Sequence, residues 1–586
     1  MNFFAESVRR MPEYRSLLAC EKEKRLPAVL TGLSSVHKTH FMHTLSRDTG
    51  RPIFLLTGDA AEAGRLVEDL NAMGERAVQY VYRDFTFRDV EGSSREYEHQ
   101  RLHVLSRILS GDCTAVVACI DAASQLTIPP EELSGRLLTL KQGQKIPLNR
   151  AIEVLVHLGY ARYDQIEGPG QFAVRGGILD FFTPDAPQPV RVEFWGDEVD
   201  TLSYFDIESQ RRTDPVDAIT LAPSTEVILD DKAALINKIE RLSASLRGRA
   251  APKARAQLEH IAEKLRDGLT IGCGDRFLPI LYASKATLFD YIHPGFLFFV
   301  SEEKKVKEQL RSTLWQFGED VKDLLEEGVL CRGLEGYFRD WTDALTFFEE
   351  RGAVYLETFA HGGFETPIRE ALTVTARQRS SWSGSVAHLC EDIDSMVERK
   401  YTCVVLAGTT RSARAVEEDL RKQGYDAYYR PHAVQAPEGG LIITEGSLSS
   451  GFEYPSVKFG LVAYGRAAVA PARARRKKQK HAQEIYALSE LSQGDLVVHA
   501  THGIGQFDGI HKLEFEGITK DYIKIRYAKQ DVLYVPVTQL DLVSKYIGPR
   551  EDAGVKLNRL GGEQWQKAKA RVRHAVKDMA KELIRL

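Results

Sequence analysis

Lys38 and Thr39 follow Gly32 at the spacing of a phosphate-binding loop, G-x-x-x-x-G-K-[ST], in the stretch TGLSSVHKTH. Such a loop holds a nucleotide because successive backbone N–H groups turn toward the phosphates at a helix N-terminus. His37 stands where the template has its second glycine. Its ring enters the space a phosphate needs, and its Cβ bars a backbone conformation that glycine accepts. LPAVLTG reads as a buried strand before the loop and HKTHFMHTLSR as the helix after it. The strand-loop-helix frame is thus kept while its nucleotide chemistry is degenerate, and no residue is assigned a catalytic role. VVACID has the look of a strand that ends in metal-binding acid, but Ala122 follows Asp121 and the acidic pair is missing.

Other residues with chemical potential lack companions. His499 and His502 in VVHATHGIG have no cysteine or carboxylate at a spacing that completes a metal site, and Gly503 and Gly505 favour a turn. Seven scattered cysteines form no C-x-x-C pair, which is the usage of reduced thiols. No histidine sits in a recognisable nucleophile motif. QFAVRGGILDFF places Arg175 beside two glycines and ahead of Phe181 and Phe182. Consecutive strand residues face opposite sides, so one ring is expected to be less buried than the other. An arginine beside an exposed aromatic is interface composition; the plainer alternative is a strand-turn-strand piece of core. In DYIKIRYAKQDVLYVPV, alternation puts Ile523, Ile525 and Tyr527 on one face and Tyr522, Lys524 and Arg526 on the other. That strand reads either as core or, at a sheet edge, as a backbone docking strip.

The elements that carry these residues fall into several domains, as 586 residues require. A net charge of −4 gives no global positive field for nucleic acid, and no stretch of about 18 apolar residues occurs. From Pro27 to Ile128, short β-rich runs alternate with helical ones, the pattern of a parallel sheet covered on both faces. Residues 129–223 change to extended segments with GPG and PDAP turns, a β-rich insertion, after which the first domain resumes over 224–351. A second α/β domain is expected over 352–470. RARRKKQK marks a basic linker over 471–488, read as solvated chain ahead of nucleic-acid contact. Residues 489–550, with alternating runs and glycines, suggest a compact β-barrel-like domain. Residues 551–586 suggest an amphipathic helix, with Trp565, Val572, Val576, Met579 and Leu583 in one stripe, cut in mid-pattern at Leu586.

GDLVVHATHGIGQFDGI, KDYIKIRYAKQDVLYVPVTQLDLVSKYIG and LNRLGGEQWQKAKARVRHAVKDMAKELIRL resemble the bacterial transcription-repair coupling factors, and the likeness extends through VRGGILDFF and ITEGSLSSGFEYP. It implies a multi-domain α/β plus β architecture. The expected parts are a UvrB-like α/β module with an inserted β-rich domain, a second α/β domain, a small CarD-like β-barrel and a C-terminal connector helix. The family's first module has a degenerate nucleotide loop, in keeping with His37. By the same resemblance the inserted domain binds UvrA through Arg162, Arg175, Phe181 and Phe182. The β domain docks on the RNA polymerase β subunit by edge pairing, with Ile523 and Ile525 foremost and Lys524, Arg526 and Tyr527 around them. The family's motor, with ATP, Mg²⁺, an intact phosphate loop, an acidic pair and double-stranded DNA as its track, is not recognised in this sequence. The expectation is therefore a non-catalytic, monomeric, cytoplasmic recognition module without its own cofactor or metal. The rivals are an ATP-dependent helicase or translocase and a CarD-like transcription regulator.

Overall fold

The computed structural model describes residues 2–88, 95–207, 209–248, 250–269, 271–379, 386–431, 438–463, 482–484, 494–499, 502–515, 518–536, 543–546 and 557–559. The chain divides into two compact units, Met1–Arg88 with Tyr97–Ala472, and Asp89–Glu96 with Arg473–Leu586.

Four early strands, β1 (Ala28–Thr31), β2 (Ile53–Thr57), β3 (Ala77–Tyr80) and β4 (Ala115–Cys119), are short apolar runs, and β1, β2 and β4 are buried along their whole length. Burial on both faces is what a parallel sheet covered by helices demands. Between these strands and the rest of their sheet the chain makes an insertion of eight strands. They are β5 (Leu138–Lys141), β6 (Ala161–Arg162), β7 (Gln171–Arg175), β8 (Ile178–Phe182), β9 (Val190–Trp195), β10 (Glu198–Phe205), β11 (Arg212–Pro215) and β12 (Ala218–Leu221). β5 pairs with β12, and the other six form a sheet of order β11-β10-β9-β8-β7-β6. The first sheet then resumes with β13 (Leu297–Ser301), β14 (Val354–Glu357) and β15 (Glu370–Thr373), giving the order β15-β1-β14-β13-β2-β4-β3. The expected boundary at 351 is therefore too early. VYLE, read as the start of the next domain, lies between β1 and β13, where its fully buried side chains fill both faces of the sheet.

The second α/β part holds β16 (Arg377–Arg379), β17 (Thr402–Leu406), β18 (Ala427–Tyr429), β19 (Leu441–Thr444), β20 (Gly451–Tyr454) and β21 (Phe459–Ala463), in the order β16-β20-β21-β17-β19-β18. It shares a core with the first sheet: Phe452, Tyr454 and Leu461 belong to the same buried cluster as Leu30, Phe41 and Leu55. The second unit holds β22 (Ala482–Glu484), β23 (Leu496–His499), β24 (Gly503–Phe515), β25 (Ile518–Arg526), β26 (Val532–Pro536) and β27 (Val543–Tyr546). Their order is β22-β27-β23-β24-β25-β26, an open antiparallel sheet. Among the described residues no barrel closes, because β22 and β26 do not pair. The expected linker over 471–488 and the amphipathic helix over 551–586 lie outside the described residues, apart from 482–484, which form β22, and 557–559.

Candidate functional site

At the loop, the chain's own groups partner the Ser34 N–H, Lys38 and Thr39. Gly32 has φ +85°, and a Cβ there would come within 2.2 Å of the Val374 carbonyl oxygen. The glycine admits the segment leaving β15, whose Val374 N–H donates to Thr31 O at 2.9 Å. Ser34 caps the helix Ser35–Thr49, and His37 Nδ1 accepts from the Ser34 N–H at 3.3 Å with Ser34 Oγ at 2.7 Å. The histidine thus folds back to take an N–H of the kind a phosphate would accept from. Lys38, 1% exposed, donates to Glu302 Oε1 at 2.5 Å and to Ser301 Oγ at 3.0 Å. The buried ammonium is thus partnered by a carboxylate of the same chain. Burial tends to raise the Glu302 pKa, but the Lys38 charge and hydrogen bonds from Lys38 and Thr358 outweigh it and hold the group below its ordinary value. Thr39 Oγ1 donates to Val36 O at 2.8 Å, within its own helix.

The other side of the loop is closed by the second α/β part. The His37 ring packs 5.5 Å from Phe452 and 5.3 Å from Tyr454, and His40 Nδ1 lies 3.0 Å from the Tyr454 hydroxyl. Burial pushes the His37 pKa down to about 4, so the ring is neutral at pH 7. The sequence reading sought acid after β4. The acid opposite Lys38, Glu302, instead follows β13, and LFFVSEE carried that signal as a buried run ending in carboxylates.

In the insertion the structure separates the four residues singled out. Phe181 is fully buried and Phe182 is 7% exposed, so neither ring offers a contact surface. Phe181 lies in the main core of the insertion with Leu179 and Val192, and Phe182 in a small cluster with Ile166, Ala173 and Phe205 on the opposite face. The two rings lie on opposite faces and Phe182 is the less buried, as alternation expects, but both faces of β8 are covered at that point and neither ring is exposed. Arg162 is exposed on β6 at the sheet edge. Arg175 is half exposed and donates to Asp180 Oδ2 at 2.6 Å. Arg191 grips the same carboxylate at 2.7 and 2.9 Å and stacks over Phe205 at 4.5 Å. Cross-strand register places Arg175, Ile178, Asp180, Arg191, Glu193 and Trp195 on one face of the sheet. Asp180, Arg191 and Trp195 were missed, although alternation in VRVEFW puts Arg191, Glu193 and Trp195 on a common side.

In the second unit the two faces of β25 fall as alternation requires: Ile523, Ile525 and Tyr527 are at most 1% exposed, and Arg526 is exposed. The two isoleucines expected to contact polymerase are core residues packed with Val497, Phe507 and Val535. Nor is β25 an edge, since it pairs with β24 on one side and β26 on the other. Lys524 and Arg526 both reach Asp508 Oδ2, at 3.0 and 2.8 Å. Among the described residues the unpaired edges are the outer sides of the end strands β22 and β26 and the part of β24 beyond Phe507, where pairing with the chain around β23 stops. Val532 and Tyr534 on β26 are among the exposed large apolar residues.

These features define a class of protein in which a β-rich domain is inserted into an α/β sheet and a separate β unit follows. Residues 138–227 match the UvrB interaction domain, and residues 491–547 match the CarD-like/TRCF RID domain. The chain is a homologue of the transcription-repair-coupling factors, including that of Bacillus subtilis strain 168, with 30% identity over 99% of this chain and 50% of the relative. The factors of Staphylococcus epidermidis and Staphylococcus aureus are 26% identical over 95% of this chain and 48% of their own length. The chain therefore spans about half the length of the curated relatives it matches. Among the described residues, no helix is long and apolar enough to cross a membrane.

Proposed function

We propose that this chain is the partner-recognition portion of a transcription-coupled repair factor. It recruits UvrA through the inserted domain and engages the RNA polymerase β subunit through an unpaired edge of the β22–β27 sheet. ATP-driven movement on double-stranded DNA belongs to the half of the relatives that this chain does not span. The observation that carries the reading is the presence on one chain of a UvrB interaction domain and an RID domain, at 138–227 and 491–547. The loop supports a non-catalytic role: Lys38 is held by Glu302 and Ser34 N–H by His37, so a nucleotide must displace both. The face around Arg175 supports protein recognition, because Asp180 pre-organises two guanidinium groups in a fixed fork.

The test combines pull-downs of UvrA and of the isolated β subunit by the purified chain with ATP turnover, with and without double-stranded DNA. Binding of both partners and no turnover is the expected result. Binding of polymerase alone favours a CarD-like regulator, and DNA-stimulated turnover overturns the non-catalytic assignment.

A further inference from the structure

Trp195 is the most exposed large apolar side chain among the described residues, at 84%. It sits at the tip of the β9–β10 hairpin, where it pairs with Glu198 and is followed by Gly196 at φ +62°. That tip lies against the β7–β8 turn: Phe194 N–H donates to Gly177 O at 2.9 Å, and a Cβ on Gly177 would meet the Phe194 carbonyl oxygen at 3.0 Å. The indole is therefore carried by two adjoining turns at one end of the face that bears Arg175. An indole left in water at such a site gains nothing for the fold, whereas buried against a partner it contributes one of the largest apolar areas a side chain offers.

The charges around it are polarised. Toward β8, buried Asp180 is shared by Arg175 and Arg191, which leaves one positive charge uncompensated, and Arg175 is the exposed member of the pair. On the same face Glu193 is paired with Arg212. On the β10 side, Asp197 and Glu198 are exposed. We propose that Trp195 is the apolar anchor of the docking face. Its partner surface offers a pocket for the indole, a carboxylate on the Arg175 side and a basic group on the Asp197–Glu198 side. Rooted in the UvrA reading above, the inference assigns UvrA as the owner of that surface, because the face lies within the segment that matches the UvrB interaction domain. The charge polarity across the anchor fixes the orientation of docking.

The experiment is titration of the full chain with purified UvrA, comparing wild type, Trp195→Ala, Trp195→Phe and Arg175→Ala, with β-subunit binding as the control for an intact second unit. Trp195→Ala is expected to weaken UvrA binding by roughly 30-fold or more, the scale of an interface hot spot, and Trp195→Phe to restore part of it. Wild-type affinity in Trp195→Ala together with loss in Arg175→Ala overturns the anchor and leaves UvrA as the partner. Absence of UvrA binding by the wild-type chain overturns the partner and with it the anchor.

Discussion

His37 is a base held neutral by burial, and that has a consequence for acid stability. Its pKa is about 4 in the folded chain against an ordinary value of 6.5. Below pH 6.5 the unfolded chain takes up a proton that the folded chain refuses until pH 4. The His37 contribution is therefore complete above pH 6.5 and is lost as pH falls through that window, by roughly 3 kcal/mol. Glu302, held below its ordinary carboxylate value, adds a loss that begins lower, as pH falls from 4.5. His37→Asn keeps a hydrogen-bond acceptor for Ser34 without a titrating ring. Thermal denaturation of this variant should show a flatter stability profile between pH 7 and 4.5 than wild type, and parallel profiles would refute the assignment. The sequence revealed that His37 spoils a phosphate loop. It did not reveal that Glu302 and Tyr454 pack against the loop, because both come from segments more than 250 residues away in the chain.

At the scale of elements, the β25 strand shows how a correct period leads to a wrong site. Alternation sorted its two faces correctly, but the choice of the apolar face for docking assumed an edge, and β24 and β26 both pair with this strand. Ile525→Arg therefore buries an unpaired charge in the small core with Val497 and Phe507, a change that costs about 3–5 kcal/mol. It should unfold the second unit and abolish polymerase binding together, as read by circular dichroism and a β-subunit pull-down. Tyr534→Arg, on the exposed side of β26, should leave the circular dichroism unchanged. If neither Tyr534→Arg nor Leu513→Arg on the distal half of β24 weakens β-subunit binding, docking through the β26 and distal β24 edges is wrong. The outer edge of β18 illustrates the opposite solution. Glu417 accepts from its Tyr429 N–H at 3.1 Å and Arg421 donates to Ala427 O at 2.8 Å, so side chains of one helix blunt the edge.

Across the first unit, the two α/β parts act as one body because they share a core rather than a linker alone. Phe452 and Tyr454 enter the cluster built on Leu30, Phe41 and Leu55, and Asp69 accepts from the Ser449 N–H at 2.7 Å and hydroxyl at 2.6 Å across the seam. Removing the ring in Phe452→Ala should cost about 3–5 kcal/mol. Amide hydrogen exchange is expected to quicken together in β1 and β17, which lie in different sheets; faster exchange confined to β17 and its neighbours would show that the parts are independent. The insertion is tied in by a buried network of its own. Glu226, at its exit, accepts from Arg101 Nε at 2.6 Å, and Arg83 bridges Glu226 to Asp275. One buried acid thereby joins three distant segments and fixes where the interaction domain leaves the sheet.

By itself the sequence determined the period of each element, the insertion of a β-rich domain into an α/β sheet, the degeneracy of the phosphate loop and the family resemblance. Each of these is encoded in local spacing, where side-chain direction and turn chemistry suffice. Only the tertiary structure decided which strands are edges, where β14 enters the first sheet, which carboxylate meets Lys38, and that Trp195 rather than Phe181 or Phe182 faces outward. Those outcomes depend on partners far apart in the chain, and burial at a given position is set by what packs over it rather than by the residue's own apolarity.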